Sequence, residues 1–271
     1  SHEMQVAQAE AKRIREAEDT LLQASALGLR ADVEGLVTSG ASLKCKDEQG
    51  RTPLHFASAH GYAEIASYLV ARGADVDADD KQGHTPLHSA AGFNHVDVIK
   101  ALLRSNAWVD ALDGNDDSPL LLAVHSGHVE ASKLLISAGA KPSLRSRNGL
   151  TALGEALAGG HVEIAGALIK AGADPADRPR GYTLMGVVAG LGRERSLGLL
   201  LDQPGGLARM SEASGPEGFT PVHAAASRGH KECVSILIER TKMEGGGAAK
   251  TLNIVSRDGL TALDLAERLD P

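Results

Sequence analysis

The sequence predicts an all-α chain: a solenoid of about eight stacked helix–turn–helix units with projecting turns. Three observations predict it. The phrase Thr-Pro-Leu-His at Thr52–His55 recurs unchanged at Thr85–His88. Worn copies begin at Thr20, Ser118, Thr151, Thr183, Thr220 and Thr261, so successive steps are 32, 33, 33, 33, 32, 37 and 41 residues. A fixed period of this size is the signature of one small module stacked on copies of itself. Finally, the chain is 42% apolar but only 3% aromatic, which suits helices that approach closely through small side chains.

Ser1-His2-Glu3-Met4 looks like a cloning remnant and carries no functional expectation. Gln5–Asp19 is rich in alanine and charge, with Val6, Ile14 and Leu21 along one side. It reads as a helix running into a degenerate first unit at Thr20–Ser42. The favoured role is a polar cap on the terminal repeat, and a partner-binding helix is the alternative.

The unit from Thr52 shows the local logic. Thr52 suits an N-cap, where its hydroxyl accepts from a first-turn amide. Pro53 follows at N1, where its missing N–H costs nothing. A short helix is expected through Leu54–His60, with small Ala57 and Ser58 allowing close packing. Gly61 breaks it, and a second helix is expected from Ala63 to Arg72, with Ile65, Leu69 and Val70 on one face. Gly73 stands where a left-handed residue closes that helix. Val76–His84 reads as an extended excursion with a turn at Gln82-Gly83. Such a unit cannot bury its own apolar face and must lean on its neighbours.

The recurring Thr-Pro-Leu-His-x-Ala resembles the ankyrin repeat. So do Gly-His at Gly127-His128, Gly160-His161 and Gly229-His230, and Gly-Ala at Gly73-Ala74, Gly139-Ala140 and Gly172-Ala173. The resemblance runs from about Thr20 to Leu269. It implies helix–turn–helix units with β-turn fingers, and the binding of another protein through finger tips and inner helices. It also implies structural roles for His55, His88 and His223, and for His128, His161 and His230, in bonding loop backbone and adjacent units.

The later units depart from the pattern. The phrase weakens to Ser118-Pro119-Leu120-Leu121 and Thr151-Ala152-Leu153-Gly154, and furthest to Thr183-Leu184-Met185-Gly186. Asn94 and Asp116 stand where glycine is expected, and both tolerate a left-handed backbone. The Thr183 unit carries Gly186, Gly190, Gly192 and Gly198, so it is expected to be the softest interior part. Insertions near 203–218 and 241–250 read either as tolerated loop extensions or as added contacts at one end of a binding surface. The last unit, from Thr261, holds barely one helix, as expected of a fragment of a longer protein.

Net charge is −7 with a pI near 5.9, which argues against a nucleic-acid partner. Cys45 and Cys233 lie far apart, so no disulfide framework is expected, and a reducing, cytoplasmic setting is. No apolar run approaches the length of a membrane span, so no membrane insertion is expected, and a monomer is the default. No His-Glu-x-x-His and no phosphate loop is present. Gly190-Leu191-Gly192 has Arg195 where a dinucleotide fingerprint needs its third glycine. Neither catalysis nor a metal or other cofactor is expected.

The expected partner is therefore another protein or peptide. Asp79, Asp80, Asp113, Asp116 and Asp117 crowd the early fingers, with Asp77 and Asp110 nearby, while Arg145, Arg147, Arg178 and Arg180 occupy the next two. These are either ordinary solvated loop tips or charges that orient a partner. At the last finger position the early units have Arg51, His84 and Asp117, and the later ones Leu150, Tyr182, Phe219 and Leu260. That change points either to packing between fingers or to a partner groove. The family resemblance turns Phe93 and Leu191 toward the same groove and puts Leu112 on a finger, while Trp108 is expected to pack on an adjacent loop. Besides a scaffold, the sequence leaves open a targeting or chaperone-like adaptor for apolar client segments, and a regulatory arm of a larger enzyme.

Overall fold

Most repeats start on a hydroxyl. Side chains of Thr52, Thr85, Ser118, Thr151, Thr183 and Thr261 accept from the amide three residues on, holding a first-turn N–H that has no intrahelical partner. In four phrases the fourth residue returns the bond: the amides of Thr52, Thr85 and Thr220 donate to Nδ1 of His55, His88 and His223 at 3.1, 3.1 and 3.3 Å, and that of Thr261 to Oδ2 of Asp264 at 2.7 Å.

A computed structural model of the chain describes residues 2–243 and 252–268, with side chains from Met4 onward. The 241–250 insertion beyond Met243, and Leu269, lie outside the described residues. The chain divides into two compact units, Ser1–Lys141 and Pro142–Pro271. The first holds α1 (His2–Leu27), α2 (Arg30–Thr38), α3 (Pro53–Ala59), α4 (Ala63–Ala71), α5 (Pro86–Gly92), α6 (Val96–Arg104), α7 (Pro119–His125) and α8 (Val129–Ser137). The second holds α9 (Ala152–Gly159), α10 (Val162–Lys170), α11 (Leu184–Gly190), α12 (Glu194–Leu201), α13 (Pro221–Ala226), α14 (Lys231–Met243) and α15 (Ala262–Glu267). Within each unit, short helices stack on their counterparts in adjacent repeats; the described residues form no strands beyond isolated bridges at Arg145–Thr151 and Ser214–Phe219. The fold class is all-α helical repeat, as the period predicts.

The helices of the Thr52 unit start and stop within one residue of expectation. Thr20 differs from the other phrase positions. It lies inside α1, where its hydroxyl donates to the Glu16 carbonyl at 2.6 Å instead of capping a helix.

Leu54, Leu87 and Leu120 of the first helices, and Ile65, Leu69, Ile99, Leu102 and Leu135 of the second, are buried in the first unit. Leu153, Leu157, Ile164, Leu168, Leu184, Leu197 and Leu237 do the same in the second. Each contributes about 2 kcal/mol through removal of apolar surface from water.

Adjacent repeats are also pinned through buried imidazoles. Nε2 of His55, His88 and His223 donates to the carbonyls of His84, Asp117 and Leu260 on the next finger, at 2.9, 3.0 and 3.1 Å. Because Nδ1 accepts and Nε2 faces a carbonyl, each ring is the neutral Nε2–H tautomer. Burial pushes all three below the usual histidine range. In the Gly-His turns, His95, His128 and His230 reach back to the carbonyls of Ala59, Gly92 and Gly190. Arg193 takes the same position in its repeat, and its Nε donates to the Ala158 carbonyl at 2.7 Å.

Candidate partner-binding cleft

The fingers of the first unit are built from the aspartates that looked like a solvent-facing patch. Asp80 Oδ1 accepts from the amides of Gln82 and His84, and Asp113 Oδ1 from those of Asn115 and Asp117, all at 2.7 to 2.9 Å. These bonds tighten the turn that presents each tip. Asp113 is only 6% exposed. Asp77 and Asp110 accept the amides of Trp108 and Lys141 from the following loop. Asp116 is exposed with φ 63°, and Asn94 has φ 60°, so both fill the left-handed slots expected of them. Asp79 is exposed beside Lys46, and the Asp117 carbonyl holds His88. Of the acidic residues on these fingers, Asp80 and Asp113 are committed to the backbone of their own turns, as short carboxylates bond readily to nearby amides, while Asp79 and Asp116 stay exposed.

Phe93 closes α5 and is 64% exposed, and Leu112 stands exposed on a finger. Trp108 also differs from expectation: its amide is held by Asp77, and its ring is exposed instead of packed.

In the second unit, Arg145 pairs with Asp177 and Arg178 with Glu212, at 2.6 and 2.7 Å, linking each finger to the next. Both guanidinium groups stay partly exposed, so these pairs are worth at most about 1 kcal/mol each. Arg147 is exposed. Arg180 sits in a left-handed turn, φ 52°, with its side chain lying along Gly149 of the neighbouring finger. Leu150 is half-buried against Gly154 and close to Leu184, so it packs between repeats.

Tyr182, Leu191 and Phe219 come together. They line one cleft of about 330 Å³ with Val187, Ala224, Gly186, Gly190, Ser214, Glu217, Ser227 and Arg228. Tyr182 and Leu191 are 38% and 40% exposed, and Phe219 is half-buried with its ring stacked on His223. Two sequence irregularities meet here. Gly186 and Gly190 of α11 leave bare backbone along the floor; a β-carbon on Gly186 would crowd Thr183 and Ser214, whereas one on Gly190 would meet Ala224 at ordinary contact distance. The 203–218 insertion supplies Ser214 and Glu217 to the wall, and its Gly215, φ 73°, leaves room for the Tyr182 ring. Arg228 closes the far end, donating from a terminal guanidinium nitrogen to the Gly190 carbonyl at 3.0 Å.

The cleft lining offers anchoring and hydrogen bonding, and no nucleophile–base pair. Among the described residues, no three His, Cys, Asp or Glu side chains converge in a metal-binding group, and no helix is long and apolar enough to cross a membrane. Ser214 and Glu217 belong to the 203–218 insertion, for which added contacts to a binding surface were one of two readings, whereas no signal in the sequence pointed to Arg228.

No curated protein matches the chain. The family model for ankyrin repeats matches three times, over residues 21–113, 104–178 and 184–270. With capped helix pairs, imidazole ties and amide-braced fingers recurring in both units, the chain belongs to the ankyrin-repeat family.

Proposed function

We propose that this chain is a protein-interaction scaffold that holds a partner protein or peptide in the cleft of its second unit. Ankyrin repeats are generally protein–protein interaction modules. The observation that supports the site is the meeting of Tyr182, Leu191 and Phe219, three large apolar side chains from separate segments, around one solvent-open cleft. Aromatic side chains in a partly buried pocket are favoured anchors, since they bury much area at little entropic cost. Arg145, Arg147, Arg178 and Arg180 stand on the fingers of the same unit and favour acidic groups on the partner. The function is binding, not catalysis.

The test is affinity capture with the full chain, compared with the Tyr182→Ala, Phe219→Ala double variant and with Leu191→Asp, an exposed change that spares packing. Partners that depend on the cleft weaken at least ten-fold with both variants. Unchanged capture by folded variants rejects the site. The largely apolar lining also supports an adaptor that grips apolar client segments. A peptide array separates the two, since an adaptor accepts many hydrophobic stretches and a scaffold one motif.

A further inference from the structure

The charged groups of the cleft, Glu217 and Arg228, stand at its two ends and carry opposite sign. Glu217 lies at the finger end, where its carboxylate and the Tyr182 ring both border Gly215. Its side chain is exposed, and the adjoining backbone is fixed because its carbonyl accepts the Arg257 amide at 3.0 Å. Arg228 lies at the other end, one residue past the cap of α13, with one terminal nitrogen anchored on the Gly190 carbonyl. A guanidinium has five N–H donors, so this anchor orients the group and leaves others for a ligand.

Between the two ends the lining is apolar or bare backbone: Val187, Leu191, Gly186, Gly190 and Ala224. The seven residues of α11 run from the finger end to Gly190, a length of about 10 Å at the helical rise. An extended peptide covers that length in about three residues.

We infer that the cleft binds an extended peptide segment in which a large apolar residue lies between a basic and an acidic residue about three positions apart. The basic group faces Glu217, the acidic group faces Arg228, and the apolar side chain enters between Tyr182, Leu191 and Phe219. This rests on the cleft being the partner site and adds the charge order that selects the partner. Opposite charges at the two ends fix the orientation of a segment and penalise one carrying the same charge at both ends.

The experiment uses the full chain and three labelled hexapeptides, read by fluorescence anisotropy. The first is Ser-Lys-Phe-Leu-Asp-Ser; the others replace both charged residues with lysine or both with aspartate. The expected result is binding of the Lys/Asp peptide about three- to five-fold tighter than either like-charged peptide. Glu217→Lys moves the preference to the double-aspartate peptide. Arg228→Glu moves it to the double-lysine peptide. Because Arg228 also bonds to Gly190, the Glu217 variant, on an exposed finger position, decides the matter alone if Arg228→Glu melts early. Equal binding of the three peptides, or a preference that Glu217→Lys leaves unmoved, overturns the charge order. If that equal binding is still lost in Tyr182→Ala, Phe219→Ala, the cleft stands and only the charge order falls. Absence of saturable binding by any peptide up to millimolar concentration also overturns the inference.

Discussion

Nε2 of His84 lies 3.0 Å from Oδ2 of Asp113 on the next finger, and the other oxygen of that carboxylate accepts two backbone amides. One buried side chain therefore braces its own turn and ties it to the turn before. Asp113→Ala leaves those amides unsatisfied and is expected to cost about 1–3 kcal/mol in urea unfolding. Asp116→Asn, at an exposed tip whose left-handed backbone asparagine tolerates, is expected to stay within about 0.5 kcal/mol. Equal costs for the two would remove the distinction between a bracing carboxylate and a solvated one.

The glycines of the second unit divide into two kinds. A β-carbon on Gly186 would stand 2.9 Å from Thr183 Oγ1 and 3.3 Å from Ser214 Oγ. Gly166 of α10 and Gly198 of α12 have nothing within 4 Å of that position. Gly166→Ala and Gly198→Ala are expected to stabilise by about 0.5–1 kcal/mol, because alanine restricts the unfolded chain at helical dihedrals. Gly186→Ala is expected to destabilise and to narrow the cleft. Chemical denaturation of the three variants checks the sign of each.

The repeat, its caps and the boundaries of its helices were legible because they rest on local chemistry: a hydroxyl accepting three residues on, a proline at N1, a glycine at positive φ. The structural roles of His55 and His88 followed from the family resemblance. The cleft was half legible. Tyr182, Leu191 and Phe219 stood out as apolar residues at groove positions, but Leu150, from the same register, packs inward against Gly154. The bracing role of Asp80 and Asp113 was not legible because their partners are amides and an imidazole placed by the turn, which residue type alone does not reveal. Arg193 escaped notice since nothing in its type says that it will meet a carbonyl 35 residues earlier.

The buried imidazoles make stability depend on pH. His55, His88 and His223 are held below 6.5 when folded, so the unfolded chain takes up protons first as pH falls. Their contribution is complete above about pH 6.5 and is lost as pH drops toward the folded values. Unfolding midpoints are expected to fall between pH 7 and pH 5, and with a shallower slope in the His55→Gln, His88→Gln double variant. An equal slope would assign the pH dependence to other groups.

Burial pushes the thiol of Cys45 up to about 12 and that of Cys233 up to about 11. The thiolate is the reactive form, so both are expected to resist iodoacetamide at pH 8 in the folded chain and to react rapidly in denaturant. Fast labelling of either under native conditions would mean that its repeat opens locally.

The most direct measurement is differential amide hydrogen exchange of the full chain with and without a captured partner. The account predicts added protection at residues 182–191 and 214–228. Protection confined to α10, α12 and α14, with the cleft unchanged, would contradict it.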